Sequence, residues 1–294
     1  MQAYSNFKVW YCTGTSTGLG LAVVKKLLSI PTNKVVAITR NPQKLEKEIP
    51  VEHLPNLLAI KADISSEESI KESISATMEA FGRIDVVVSN AGCSIAGAVE
   101  EMSVEEVKKV FDINFFASFI IARNVTPIMR KQGEGFIMIV GSVLSWFCLP
   151  EYVAYNASKF ALRGLAYTLG LELEKFNIKV MLLSPSGFKT SFINDNQEFS
   201  NVLIEGYKTK DVVHWLDSVI NDGRGDPEKF AEVLIEMSTK EKPPKNMFFG
   251  TSSIDWMEDE FKKQVEELRL NKEVSIGTDF PGVGDTFKLI QDEN

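Results

Sequence analysis

Apolar and polar positions along the chain fall into two alternating rhythms. Short continuous apolar runs recur at Phe7 to Cys12, Lys34 to Ile38, Leu57 to Lys61, Asp85 to Ser89, Phe136 to Val140 and Lys179 to Leu183. Runs of this length and β-branched content predict parallel strands buried on both faces. Between them, apolar residues fall three and four apart. Examples are Leu21, Val24, Leu27 and Leu28; Ile70, Ile74 and Met78; and Leu162, Leu165, Leu169 and Leu173. That period predicts helices with one face on a sheet. Six alternations imply one doubly wound parallel α/β sheet with helices on both faces and right-handed crossovers. Met247 to Phe249 offers a seventh strand.

Local signals set the element ends. Ser65 with Glu68, and Ser103 with Glu106, have capping-box spacing; the second opens a helix that runs to about Gln132. Val153 to Phe176 reads as a helix, and Asp226-Pro227 opens another through Met237. From Phe192 to Asp222 the rhythm fails. Phe199, Val202, Tyr207, Val212, Val213, Trp215, Leu216 and Ile220 predict one or two short amphipathic helices there. Ile254 to Leu270 reads as a polar helix, and the tail after Asn271 as extended, mobile or partner-bound. The expected organisation is one domain over 1–270, with 190–225 covering the substrate, and a tail over 271–294.

Composition narrows the classes. The chain has 294 residues, 44% hydrophobic and 24% charged, ordinary for a globular protein. A net charge of −8 argues against nucleic acid as a partner. Cys12, Cys93 and Cys148 show neither disulfide nor zinc spacing, and His53 and His214 lie in no ligand cluster, so no metal site is expected. No apolar run reaches the ~18 residues of a membrane span, and the start lacks a secretory pattern. A reducing, cytoplasmic setting is the expectation.

Chemistry collects just past the strand ends, where open α/β sheets bind ligands. The first strand runs into Thr13-Gly14-Thr15-Ser16-Thr17-Gly18-Leu19-Gly20 and then a helix. Glycines permit a tight turn and close approach of a pyrophosphate, and the helix start offers free N–H groups. This predicts a dinucleotide site; an ordinary glycine turn is the alternative. The second strand is followed by Arg40 with no acid beside it. An acid there suits the ribose hydroxyl of NAD, whereas an arginine suits the 2′-phosphate of NADP. NADP(H) is therefore preferred, with NAD(H) and a solvated surface arginine as alternatives. Tyr155 and Lys159, four residues apart, share a helix face. A nearby ammonium favours phenolate and is expected to lower the tyrosine pKa. Asn114 interrupts an apolar helix and needs partners for its amide.

These residues resemble the short-chain dehydrogenases/reductases over about residues 7 to 250. Thr13-Gly14-xxx-Gly18-Leu19-Gly20 is similar to that family's cofactor loop, and Asn90-Ala91-Gly92 to the motif that steadies its central sheet. Asn114, Ser142, Tyr155 and Lys159 stand in the order of its catalytic tetrad. Pro185-Ser186-Gly187-Phe188-Lys189-Thr190 resembles the 17-beta-hydroxysteroid and retinol dehydrogenase-like branch. Serine stands at 186 where the family usually has glycine, a strained choice if that position needs positive φ. The resemblance implies a Rossmann-type fold. It implies Tyr155 as general acid or base, Lys159 lowering its pKa and binding the nicotinamide ribose, and Ser142 bonding the substrate oxygen. Asn114 would hold a water relayed to Lys159. Gly14, Gly18 and Gly20 would frame the pyrophosphate, Asp63-Ile64 would meet the adenine, and Thr190 the carboxamide. Tyr152 has no lysine four residues on and is not assigned. Homodimers or homotetramers through the helices of Asn114 and Tyr155 are expected.

Ile95, Leu144, Trp146, Phe147, Leu149, Phe188 and Phe192, with Phe199 or Trp215, are candidate walls; burial in the core is the alternative for each. They predict an apolar ketone, aldehyde or secondary alcohol as substrate; the NADP(H) preference leans towards reduction. A non-catalytic dinucleotide sensor on the same fold is the competing class. An epimerase or dehydratase fits poorly, because the irregular region is short.

Overall fold

A computed structural model describes residues 7–221 and 225–280. In chain order the elements are β1 (Lys8–Thr13), α1 (Gly18–Leu28), β2 (Asn33–Thr39), α2 (Pro42–Glu46), β3 (Leu57–Lys61), α3 (Glu67–Phe81), β4 (Val86–Ser89), β5 (Ser94–Ala96) and α4 (Val104–Phe111). There follow α5 (Ala117–Gln132), β6 (Gly135–Val140), α6 (Val153–Leu173), β7 (Ile178–Pro185), α7 (Phe192–Asn196) and β8 (Gln197–Phe199). The last are α8 (Thr209–Asn221), α9 (Pro227–Met237), β9 (Asn246–Phe249), α10 (Thr251–Leu270) and α11 (Lys272–Ile276).

Seven strands pair in parallel in the order β3-β2-β1-β4-β6-β7-β9. The winding reverses between β1 and β4, and that switch point opens a crevice at the strands' C-terminal edge. Side-chain alternation sorts the core into two layers. Trp10, Cys12, Val35, Ala37, Val86 and Val88 pack with Val24 and Leu27 of α1 and Phe230 and Leu234 of α9. Tyr11 points the other way, and its hydroxyl hydrogen-bonds Ser73 of α3 at 2.6 Å. A one-residue slip would exchange the two layers, so burial on both faces fixes the register.

Several element ends differ from the sequence expectation. Ser66, not Ser65, caps α3 by accepting from the Ser69 N–H; the Ser65 hydroxyl turns back to Asp63 at 2.7 Å. The Ser103–Glu106 capping box forms as expected. Its long helix is broken by a π-helical turn, Asp112–Phe116, which carries Asn114. The irregular region contains α7, β8 and α8, and β8 pairs in parallel with β5. At three residues each, the two strands are too short for an alternating pattern to betray the pair. The side chain of Ile220 lies outside the described residues. Beyond Asn271 the chain forms α11 rather than an extended tail, and 281–294 lie outside the described residues.

The chain divides into two compact units, Met1–Ile254 and Asp255–Asn294. The first holds the whole sheet and every candidate site residue. Among the described residues, no helix is long and apolar enough to cross a membrane.

Candidate active site

The glycine turn is shaped by contact with the fourth strand's exit. Asn90 donates through its amide to the carbonyls of Thr13 (3.2 Å) and Gly14 (3.0 Å). The Thr13 hydroxyl accepts in return from the N–H groups of Asn90 and Ala91. A Cβ at Gly20 would stand 2.1 Å from the Gly14 carbonyl oxygen, and one at Gly14, where φ is +67°, 2.7 Å from Ala91 Cα. Neither position admits a side chain. Thr15 is buried with its hydroxyl on the Ile38 carbonyl, and Ser16 bonds Thr39 at 2.6 Å. Thr17 precedes α1 without capping it, and the first turn, including Gly18 and Leu19, holds no acid. The amides of that turn remain available to an anion. The cradle fits a pyrophosphate.

Arg40 is exposed immediately after β2. It lies near Asp63, whose carboxyl is held below its ordinary range by hydrogen bonds from the Ser65 hydroxyl and N–H, with the Arg40 charge contributing. Ile64 follows, half-buried.

Asn114, Ser142, Tyr155 and Lys159 converge. Asn114 is fully buried; its Oδ1 accepts from the Cys93 N–H (2.9 Å) and its Nδ2 donates to the Cys93 carbonyl (3.0 Å) and Ser158 Oγ (2.9 Å). The expected partners exist: both N–H groups and one acceptor site of the amide are used, which clamps Asn114 to the strand exit. A Cβ on Gly92 would lie 3.3 Å from Asn114 Oδ1 and 3.7 Å from Lys159 Nζ, so Asn90-Ala91-Gly92 adjoins both cradle and tetrad. Ser142 Oγ accepts from the Leu144 N–H at 3.1 Å.

The electrostatics correct one expectation. Lys159 Nζ stands 5.4 Å from the Tyr155 ring centre and donates to the Val140 carbonyl at 3.1 Å. Burial lowers Lys159 to about 8. Desolvation pushes Tyr155 up to about 12, although its hydrogen bond with Ser142 pulls the other way. Burial dominates at the phenol, and the lysine ammonium donates to a carbonyl. Cys93 sits in the same pocket floor, and burial raises its thiol to about 11. It stays a protonated thiol at neutral pH.

The walls differ in part from those expected. Leu149, Tyr155, Ile193, Val212 and Leu216 pack with buried Ala96, Tyr152 and Val213. The Phe192 ring meets Tyr155 edge-on at 6.2 Å. Leu144 is buried and Phe147 half-buried. Ile95 and Phe188 belong to the core, packed with Val110 and Ala154 and with Phe230, respectively. Trp146 turns to Arg163, 3.7 Å from its ring, and donates to Ser184 Oγ. Phe199 and Trp215 are largely exposed. Ile193 and Ala96 escaped the sequence reading, having no motif or period to mark them. Tyr152 is buried and donates to Gln197 at 3.2 Å, a structural tyrosine.

Past Pro185 the chain shows no strain at Ser186. The residue is absent from the positive-φ set, and its hydroxyl donates to the Phe249 carbonyl at 3.0 Å. Gly250, at φ +90°, makes the room: a Cβ there would meet Ser186 Oγ at 2.5 Å. The Gly187 carbonyl accepts from the Gly225 N–H, and Thr190 faces Gly18, with its Cβ 3.3 Å from where a Gly18 side chain would begin. Thr190 thus closes over the glycine turn from the far side of the crevice.

The short chain dehydrogenase family profile matches residues 8–201. The chain belongs to the short-chain dehydrogenases, a family of oxidoreductases. An uncharacterized oxidoreductase of Schizosaccharomyces pombe is 29% identical over 92% of this chain and 91% of its own length. Human retinol dehydrogenase 8 is 33% identical over 61% of this chain and 58% of its own. A short-chain dehydrogenase from Streptomyces avermitilis superposes with a TM-score of 0.85 at 28% identity, covering 94% of this chain and all of that one. The doubly wound Rossmann-type sheet is that of the family.

Proposed function

We propose that this short-chain dehydrogenase reduces an apolar ketone or aldehyde with NADP(H). The observation that carries the reaction is the meeting of Ser142, Tyr155 and Lys159 beneath an apolar cluster that contains Tyr155 itself. When bound, a nicotinamide dinucleotide supplies the hydride. Tyr155 gives its phenolic proton to the carbonyl oxygen, and Ser142 offers that oxygen a second donor as charge develops. Lys159, charged at neutral pH and buried below, favours the phenolate left behind and supplies donors for a ribose. Asn114 holds the Cys93 peptide, and with it the floor, in place. Gly14, Thr15, Ser16, Thr17, Gly18, Leu19 and Gly20 receive the pyrophosphate; Asp63 and Ile64 flank the adenine; Asn90, Ala91 and Gly92 back the crevice; Pro185, Gly187 and Thr190 close it.

The cofactor preference rests on Arg40, exposed after β2 with no acid adjacent in sequence. One observation favours the NAD(H) alternative: Asp63 lies close enough to Arg40 to feel its charge, which would weaken a 2′-phosphate contact. The name of the human relative fits an apolar substrate but identifies none here. Phe116, Phe119 and Phe160 are exposed on the helical segments flanking Asn114 and Tyr155, which supports a homo-oligomer paired through them.

The test is NADPH consumption across a panel of carbonyls. Long-chain and cyclic ketones and aldehydes are expected to outpace small charged ones in kcat/KM. A wide lead for small charged substrates would overturn the substrate reading.

A further inference from the structure

Two buried glutamates stand outside the tetrad. Glu101 is 3% exposed and Glu106 9% exposed. A carboxylate kept from water is unfavourable unless donors surround it. Glu101 Oε2 accepts from the Ala98 N–H at 2.8 Å and the Thr209 hydroxyl at 2.7 Å, and Oε1 from the Ile204 N–H at 2.8 Å. Glu106 Oε2 serves its own helix cap, but Oε1 accepts from the Asn201 N–H at 2.9 Å. The Ser200 hydroxyl adds a bond to the Glu101 carbonyl at 2.5 Å.

Apart from the Ala98 bond and the Glu106 cap, these tie one loop to another about a hundred residues away. Residues 201–208 form no helix or strand, so their N–H groups lack secondary-structure partners. The carboxylates supply partners for Asn201 and Ile204. Thr209, buried, is the first residue of α8. One turn later Val213, with Leu216, packs on Ala96, Tyr152 and Tyr155. Burial pushes Glu101 up, yet hydrogen bonds from Ile204, Thr209 and Ala98 more than offset it, and its carboxyl lies below the ordinary range.

The geometry points to Glu101 as a positioning residue that stakes the start of α8 and so sets the apolar wall over Tyr155. The inference rests on the reading of Tyr155 as the reactive centre. Glu101 acts through Thr209 and Ile204; its hydrogen-bond partners Ala98, Ser200, Ile204 and Thr209 lie on the substrate side and not in the glycine cradle.

Glu101→Gln in the full chain tests this, because the amide presents a donor where an acceptor is required. Amide exchange across 197–216 is expected to quicken about tenfold or more while β1 and β2 keep their protection. KM for an apolar ketone should rise about tenfold, and kcat should fall less. Dinucleotide Kd should stay within about twofold, since that cradle is built from other elements. Thr209→Val should show the same pattern more weakly and Thr209→Ser should restore it, which keeps the test available if Glu101→Gln does not fold. Unchanged exchange in 197–216 in a folded variant overturns the proposal. So does faster exchange with unmoved KM, or a Kd that rises in step with KM. A wild-type protein that turns over no carbonyl defeats the catalytic reading instead, and the exchange arm still decides whether Glu101 holds α8.

Discussion

The two halves of the crevice are built by different means. The dinucleotide side, from Thr13 to Asn90, is held by backbone groups and short side chains in close contact: Thr13, Asn90 and three glycines. The substrate side, from Ala96 to Leu216, is held by long side chains spanning about a hundred residues: Glu101 to Thr209, Glu106 to Asn201, and Lys109 to Glu198 at 2.7 Å. The exposed Lys109–Glu198 pair adds little stability; the buried carboxylates are the stronger ties. One half is shaped by what cannot fit, the other by what must be satisfied. The first therefore tolerates almost no side-chain change, whereas the second can change its walls while keeping its anchors.

That contrast can be broken most severely at Tyr155, where the halves meet. Tyr155→Phe should lower kcat/KM by about 10²–10⁴, the range for a lost general acid, while the dinucleotide Kd holds. A parallel loss of binding would mean that the tyrosine builds the cradle rather than the reaction.

Changing pH sharpens it next. With Tyr155 near 12, the phenol is protonated at neutral pH. Reduction, which needs that proton, should be level in kcat/KM from pH 6 to 8. Oxidation needs phenolate, whose population below its pKa grows about tenfold per pH unit. Lys159 keeps its charge until about 8, so that gain should slacken above it. A reduction rate that falls steeply between pH 6 and 8 would contradict this.

Gly20→Ala probes the opposite half. Its methyl would overlap the Gly14 carbonyl, and such overpacking costs about 1–3 kcal/mol. Dinucleotide affinity should drop about tenfold or more, and a folded variant that reaches saturation should keep its preference among carbonyls. Loss of that preference would show the halves to be coupled.

The same contrast explains what could be read in advance. The strands and their parallel, doubly wound sheet followed from apolar runs buried on both faces, and Thr13-Gly14 and Asn90-Ala91-Gly92 are legible as short motifs, although the bonds that join them cross more than seventy positions. The π-helical turn at Asn114 left no trace, because its residues keep a helical period. The direction of the Tyr155 shift depends on how deeply the hydroxyl is desolvated; spacing alone does not carry that. Trp146 and Phe188 looked like walls because aromatic residues after a strand suit either a pocket or a core. Whether Ser186 is strained turns on its φ, which is not positive, and on the room that Gly250, sixty-four positions on, leaves for its hydroxyl; neither is visible in the local sequence. The β5–β8 pair and the Glu101 stake join residues too far apart for any local pattern to announce.

The most direct test of the account is a fluorescence titration of the purified protein with NADPH and with NADH, repeated on Arg40→Ala. The account predicts NADPH binding at least about tenfold tighter, a difference of about 1.4 kcal/mol, and its disappearance in the variant. Tighter NADH would assign the site to NAD(H) and favour alcohol oxidation. Binding of neither would contradict the dinucleotide cradle itself, and with it the proposed reaction.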